Sequence, residues 1–303
     1  MTAMTHPLVV PDVPLAPLTT YKLGGSARWY AEVRDVDELR SVVALRGESM
    51  PLFVLGRGSN VLVADTGFDG MVVRLVGDLA LADVDAGIIE AGGGMPLPRL
   101  ARFAATESLG GLEFYVGIPG SVGGAVCMNA GGHGSDTASV LLDAAILHRD
   151  GTLDIVSAAA LQLGYRQSNL THEDIVVSAR FATVPRPHSE IETELREVTR
   201  WRKEHQPGGT LNAGSVFKNP DGDAAGRIID ELGMKGYRRG AVSVSTLHAN
   251  FVVAEAGATA QEVWDLIWDV RQRVGEATGT WLEPEVRFVG EFADPAHPRG
   301  DPS

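Results

Sequence analysis

The sequence predicts an α+β protein, a glycine-rich ligand-binding domain followed by a smaller α/β domain, and three observations carry that prediction. Strand-like and helix-like patterns alternate along the 303 residues. Two glycine-rich loops, Leu55-Gly56-Arg57-Gly58-Ser59-Asn60 and the uncharged run from Gly117 to Gly132, interrupt the strand-like half. A Pro185-Arg186-Pro187 breaker then precedes a clean amphipathic helix.

In order, residues up to about Pro17 read as an extended arm. Arg28 to Val33 is strand-like, and Asp35 to Arg46 reads as a helix with Val36, Leu39 and Val43 on one face. Pro51 to Leu55 is a buried-strand run entering the first glycine loop. Val61 to Val63 and Met71 to Val73 are further strands, separated by a turn at Gly67 to Gly70. Gly87 to Ala91 leads through Gly92-Gly93-Gly94 into a helix with Pro96 or Pro98 near its start. Ala144 to His148 and Thr152 to Val156 flank Asp150-Gly151, a hairpin signal. Ala158 to Tyr165 reads as helical and Asp174 to Val184 as a strand. Beyond the proline breaker, Ile191, Leu195, Val198 and Trp201 share one helical face, as do Val263, Leu266, Ile267, Val270 and Val274. Thr280 to Val289 reads as the last strand, and the chain from about Ala293 as a frayed tail.

The net charge of −13 argues against a general binder of nucleic acid or anionic membrane, and leaves an anionic substrate only where basic residues concentrate. One cysteine, Cys127, permits no intramolecular disulfide and points to a reducing compartment. No basic segment precedes an apolar core at the start, and no apolar run reaches the ~20 residues of a membrane span. These observations predict a soluble, cytoplasmic protein without membrane insertion. The eight histidines show no metal-ligand spacing, so no metal is expected.

Glycine lets backbone approach a ligand closely, and successive N–H groups of such a loop form an anion-binding nest without a basic side chain. Two loops of that kind in one domain point to a dinucleotide, although either could also be a tight core turn. Neither is a Rossmann fingerprint: Gly56-Arg57-Gly58 lacks a third glycine, and Leu97 occupies that place after Gly92-Gly93-Gly94. There is no P-loop, and neither Ser59 nor Ser121 lies in a nucleophile elbow. Three polar segments remain. Tyr165-Arg166-Gln167-Ser168 is either a site or the basic end of a helix. Asn212 to Pro220, with Ser215 among apolar residues, is either a site or an ordinary cap or turn. Leu282 to Phe288 places Glu283, Glu285 and Arg287 on one strand face, either functional or solvated.

Together these segments resemble the UDP-N-acetylenolpyruvoylglucosamine reductase (MurB) family from about Thr19 to Gly290, in the family's order. Tyr21-Lys22-Leu23-Gly24-Gly25 resembles its opening. Leu55 to Asn60 and Ile118 to Gly131 resemble its two FAD loops, and the three polar segments its catalytic segments. The resemblance implies an arm at 1–18 and an FAD-binding domain of the vanillyl-alcohol-oxidase (PCMH) type at 19–185, in subdomains of about 19–75 and 76–185. A substrate-binding domain at 186–290 and a flexible tail at 291–303 complete it. It implies that NADPH reduces FAD and leaves, and that the enolpyruvyl nucleotide then enters the same pocket of a monomeric enzyme. The cofactor contacts carried over are Leu55, Gly56, Arg57, Gly58, Ser59, Asn60, Pro119, Gly120, Ser121, Gly123, Gly124, Asn129, Ala130 and Gly131. Arg166 would engage the substrate carboxylate and Glu285, in its protonated form, would stabilise the developing enediolate. Ser215 would protonate the neighbouring carbon, and Lys203, Asn219 and Arg287 would hold phosphates and carboxylate. The interval between Arg166 and Ser215 is short and has no tyrosine, which matches the family's shorter subtype. The competing expectations are a sugar or alcohol oxidase on the same FAD fold and a non-catalytic flavin-binding protein.

Overall fold

The computed structural model describes residues 6–46 and 50–294. They divide into two compact units that interleave along the chain. Unit 1 comprises Met1–Asp12, Arg28–Arg57 and Gly70–Arg202; unit 2 comprises Val13–Ala27, Gly58–Asp69 and Lys203–Ser303. The contiguous division expected at Pro185 therefore differs from the one observed: the long helix after it stays with unit 1 as far as Arg202.

Six α-helices occur among the described residues: α1 (Val36–Leu45), α2 (Leu97–Thr106), α3 (Val122–Met128), α4 (His188–His205), α5 (Ala225–Glu231) and α6 (Ala260–Thr278). The helix α1 starts where the Asp35 carboxylate accepts from the Glu38 N–H at 2.8 Å, and Leu39, Val42 and Val43 form its buried stripe. A capping box of Thr259 and Glu262 opens α6, and Gly279 at φ 76° closes it. Asp65, 195 residues earlier, adds a second cap to α6 by accepting from the Ala260 and Gln261 N–H groups, both at 3.0 Å.

Unit 1 is built on an antiparallel five-stranded sheet, ordered Leu153–Ser157, Leu141–Leu147, Ile175–Ala182, Ile88–Gly92, Ala82–Asp85. Its core joins Ile89, Ala144, Ile146 and Phe181 from the strands to Leu100 and Ala104 of α2, Val122 and Val126 of α3, and Ile191 and Leu195 of α4. A second sheet runs Val9–Pro14, Ser26–Val33, Phe68–Leu75, Leu52–Val54, with the last two parallel. In unit 2, the antiparallel strands Arg238–Arg239, Val242–Val244 and Val252–Ala254 share a core with α5 and α6, and Val61–Val63 pairs in parallel with Arg287–Val289.

Several sequence expectations are corrected. The arm is not merely extended, since Val9–Pro14 is a sheet strand; residues 1–5, and 295–303 of the expected tail, lie outside the described residues. Ala158 to Tyr165 is a chain of turns. Gln162 takes φ 47°, and the Leu161 and Ala160 carbonyls accept from Asn169, so a helical ladder cannot form. The turn expected at Gly67 to Gly70 lies at Asp65-Thr66, and Phe68 already belongs to a strand. Of Thr280 to Val289 only Arg287–Val289 is a strand, because Pro284 lacks a ladder donor and the chain bends at Val286. The helices α3 and α5 were not foreseen: each is only 7 residues long, and α3 contains Gly123 and Gly124, poor helix formers.

Candidate active site

In unit 1 the glycine loops meet. Leu55 is buried and donates its N–H to the Val73 carbonyl at 2.9 Å, which holds the first loop at the end of its strand. A Cβ added to Gly56 would lie 3.2 Å from the Ser121 Cβ and closer still to its hydroxyl, so only glycine lets the two loops touch. Ser121 caps α3 by accepting from the Gly124 N–H. Its loop is tied down through Leu97 N to Gly120 O (3.0 Å), Val122 N to Met95 O (2.9 Å) and Gly123 N to Gly93 O (2.8 Å). Pro119 is half-buried in the same loop. Gly93 and Gly94 press against the carbonyls of Val176 and Leu75, so the Gly92-Gly93-Gly94 run serves packing.

The turn bearing Arg166 hangs from the far end of α3. Gly164 and Gln167 bridge across it, and Arg166 itself takes φ 55°, a left-handed conformation that an arginine adopts only when its surroundings impose it. The Ser168 hydroxyl donates to Cys127 O at 2.9 Å, and the Arg166 guanidinium reaches Gly131 O at 3.4 Å. Asn129, buried and left-handed at φ 40°, donates to Gly164 O (3.0 Å) and Asp136 (3.1 Å) and accepts from the Ala138 N–H (2.8 Å). What Asn129 can offer a cofactor is therefore its backbone, while its side chain carries the Arg166 turn. Ala130 and Gly131 continue into the short hairpin to Asp136, where Gly131 and Asp136 pair. The alternative that Arg166 closes a helix is removed, since no helix precedes it.

In unit 2 a second constellation forms around Ser215 and Glu285. The Glu285 N–H donates to Val216 O at 2.7 Å, and Phe217 bridges Pro284, so the hydroxyl and carboxyl segments lie alongside each other although 70 residues separate them. The rest of the first glycine loop joins them. Asn60 donates its side-chain N–H to Glu285 O at 3.0 Å and accepts the Arg287 N–H on its own carbonyl at 3.0 Å. A Cβ on Gly214 would stand 3.9 Å from Ser59 O. Gly58, at φ 60°, lies so close to Leu18 and Thr19 that no side chain fits, and its carbonyl accepts from Thr20 N at 3.0 Å. Arg57, the preceding residue, is exposed.

Both Ser215 and Glu285 are half-buried, whereas Glu283 is exposed and pairs with Lys218 at 2.6 Å. Of the three charged residues expected on one strand face, Glu283 and Arg287 are exposed and Glu285 is half-buried, and the segment becomes a regular strand only at Arg287. The Asn219 Oδ1 accepts from the Ala225 N–H at 3.1 Å and so opens α5. Lys203 is exposed in the last turn of α4, and Arg287 is exposed at the head of its strand.

Sequence reasoning missed three residues. Asn250 is buried and grips the Phe217 backbone. The Arg271 guanidinium lies over the Trp268 and Trp281 rings, 5.3 and 5.1 Å from their centroids, and donates to Leu282 O at 3.0 Å. His133 meets Trp201 edge-on, and burial together with the Arg202 guanidinium holds its imidazole below the ordinary range. Only Asn250, a polar residue between Ala249 and Phe251, left a trace in the sequence.

The second glycine run leaves room for a dinucleotide. A Cβ at Gly132 would meet nothing within 4 Å, and one at Gly124 only the Ser121 hydroxyl at 3.6 Å. Neither glycine is required by packing or by a positive φ, so each leaves open backbone that a bulky ligand can approach. No group of three or more His, Cys, Asp or Glu side chains that could hold a metal occurs among the described residues. No helix among them is long and apolar enough to cross a membrane.

Comparison with known proteins gives two family models in the expected order. An FAD binding domain matches residues 27–157, and the C-terminal domain of UDP-N-acetylenolpyruvoylglucosamine reductase matches residues 206–289. The UDP-N-acetylenolpyruvoylglucosamine reductase of Synechocystis sp. is 41% identical over 298 residues, covering 96% of this chain and 94% of the relative. That of Synechococcus sp. (strain RCC307) is 44% identical over 290 residues, covering 93% and 94%. The crystal structure of the reductase (MurB) from Thermus caldophilus superposes with a TM-score of 0.81 at 38% identity, over 93% of this chain and 99% of that one.

Proposed function

The chain belongs to the UDP-N-acetylenolpyruvoylglucosamine reductase family, and from that premise we propose that it reduces UDP-N-acetylglucosamine enolpyruvate to UDP-N-acetylmuramate, using NADPH and bound FAD, for peptidoglycan precursor synthesis. The observation that carries the assignment of residues is the pairing of the Ser215 and Glu285 segments through Glu285 N and Val216 O, with Asn60 of the first glycine loop bonded to the same Glu285. A proton donor, a carboxyl group and a cofactor loop converge there from three distant stretches of sequence.

Bound FAD would supply the hydride chemistry, relaying two electrons from NADPH to the methylene carbon of the enolpyruvyl group. Leu55 to Asn60 and Pro119 to Gly131 would hold that cofactor, the backbone at Gly124 being open to a ligand. Hydride addition leaves negative charge on the carbon beside the substrate carboxylate. Arg166 engages this carboxylate as a planar fork, its position fixed by the bonds from Asn129 and Ser168 to the elements around it. Glu285, carrying a proton, donates to the enediolate. Ser215 delivers the proton that completes the new C–H bond, and water or a neighbouring group replaces it. Lys203, Asn219 and Arg287 hold the anionic groups of the substrate. The enzyme acts as a cytoplasmic monomer, admits NADPH and the nucleotide in turn to one pocket, and represents the subtype without a tyrosine-bearing loop.

An anaerobic experiment tests the reading. Purified yellow protein is reduced with NADPH, and the enolpyruvyl nucleotide is then added. Reoxidation of the flavin without oxygen is expected. A flavin that reoxidises only when oxygen is admitted would favour an oxidase, and one that never turns over would indicate a flavin-binding protein without this activity.

A further inference from the structure

We infer that Asn250 is a positioning residue for the reaction, acting through Ser215; this rests on the proposed reductase chemistry. Asn250 is 3% exposed and lies 33 residues from the segment that it holds. Its Oδ1 accepts from the Phe217 N–H at 2.9 Å, and its Nδ2 donates to the Phe217 carbonyl at 2.8 Å. Its own carbonyl accepts from the Val216 N–H at 2.8 Å. One asparagine thus imitates a neighbouring strand along one edge of Val216-Phe217, while Glu285 and Pro284 occupy the other edge. This one side chain holds both backbone polar groups of Phe217, and Ser215 sits two residues before it with Gly214 at φ 76° as its hinge. A glycine hinge makes the hydroxyl direction soft unless the peptide after it is clamped. The bidentate amide supplies that clamp, and no other side chain of this length both donates and accepts in one plane. His248 supports it in turn, its Nδ1 accepting from the Asn250 N–H at 3.2 Å.

The test is a cycle of Ser215→Ala and Asn250→Asp, read in the two anaerobic half-reactions. Asn250→Asp keeps the acceptor for the Phe217 N–H and loses the donor to its carbonyl. It should reduce its flavin with NADPH at the wild-type rate and slow flavin reoxidation by the enolpyruvyl nucleotide about 10- to 100-fold, the scale of a misplaced reacting group. Added to Ser215→Ala it should slow reoxidation no further than Ser215→Ala alone. Asn250→Ser, smaller and uncharged, should behave alike. Equal slowing of both half-reactions, multiplicative effects in the double variant, or loss of bound flavin in both Asn250 variants would overturn the inference. If instead Ser215→Ala itself reoxidises normally, the assignment of Ser215 fails, and that outcome is told apart from failure at Asn250 alone.

Discussion

Gly56→Ala tests whether the two glycine loops act as one cradle. The added methyl would stand 3.2 Å from the Ser121 Cβ and inside van der Waals contact of its hydroxyl. Backbone strain does not enter, because Gly56 is not among the residues with positive φ. Ser121 can yield only by rotating away from the Gly124 N–H that it caps, or by moving the loop. Overpacking of this kind costs ~1–3 kcal/mol, and loss of a serine cap about 1 kcal/mol falls within that range. If the strain is released when the cofactor leaves, FAD affinity falls roughly 5- to 150-fold, at 1.4 kcal/mol per decade. The clash also predicts its own cure. Ser121→Gly removes both offending atoms and, since glycine is tolerated at a helix start, costs only a few tenths of a kcal/mol in capping. The double variant should therefore bind FAD more tightly than Gly56→Ala alone. Titration of the apoprotein with FAD, followed by quenching of flavin fluorescence, measures all four corners of the cycle. Wild-type affinity in Gly56→Ala, or a double variant no better than Gly56→Ala, would refute the reasoning.

Glu285→Gln should slow substrate reduction by ~10²–10³, the usual loss of a transition-state donor, while Glu283→Gln, which breaks only an exposed pair with Lys218, should change it less than about twofold; stopped-flow reoxidation compares them. Arg271→Ala removes two cation–π contacts and the bond to Leu282 O, and should lower stability by ~1–3 kcal/mol, read as a fall in the denaturant midpoint. Burial, then the Lys235 ammonium, hold His248 below the ordinary imidazole range, so the folded state favours its neutral form. That contribution is complete above the unfolded value of about 6.5 and is lost as pH falls through the lower folded value. Melting temperatures measured from pH 7 down to 5 should drop less steeply in His248→Gln than in wild type, and parallel slopes would exclude this role.

The elements read correctly from the chain are those whose own residues settle them. The apolar stripes of α4 and α6 and the Asp150-Gly151 hairpin are local signals, and burial of Ile191, Leu195, Val198, Val263 and Val270 agrees with them. The failures have a common cause. A stretch such as Ala158 to Tyr165 has helix-forming residues, yet its carbonyls bond to Asn169 instead; α3 has poor helix formers, yet Ser121 and the Met95 and Gly93 carbonyls hold it. In both, distant hydrogen bonds outweigh propensities worth only tenths of a kcal/mol per residue.

The same division applies to the site. The primary structure alone offered candidates, because glycine spacing, an isolated serine among apolar neighbours and charges inside a β-like run are properties of the string, and the family resemblance proposed their roles. Folding decided their company. Glu283 and Glu285 are nearly equivalent as letters, but Glu283 reaches Lys218 at the surface while Glu285 is stitched to Val216 and Asn60. Asn129 reads as a cofactor contact and Asn250 as a polar residue among apolar ones, and only burial against backbone groups 35 and 33 positions away turns them into clamps. Hydrogen bonds over such separations depend on where two distant backbones come to rest, and no local pattern in a chain encodes that.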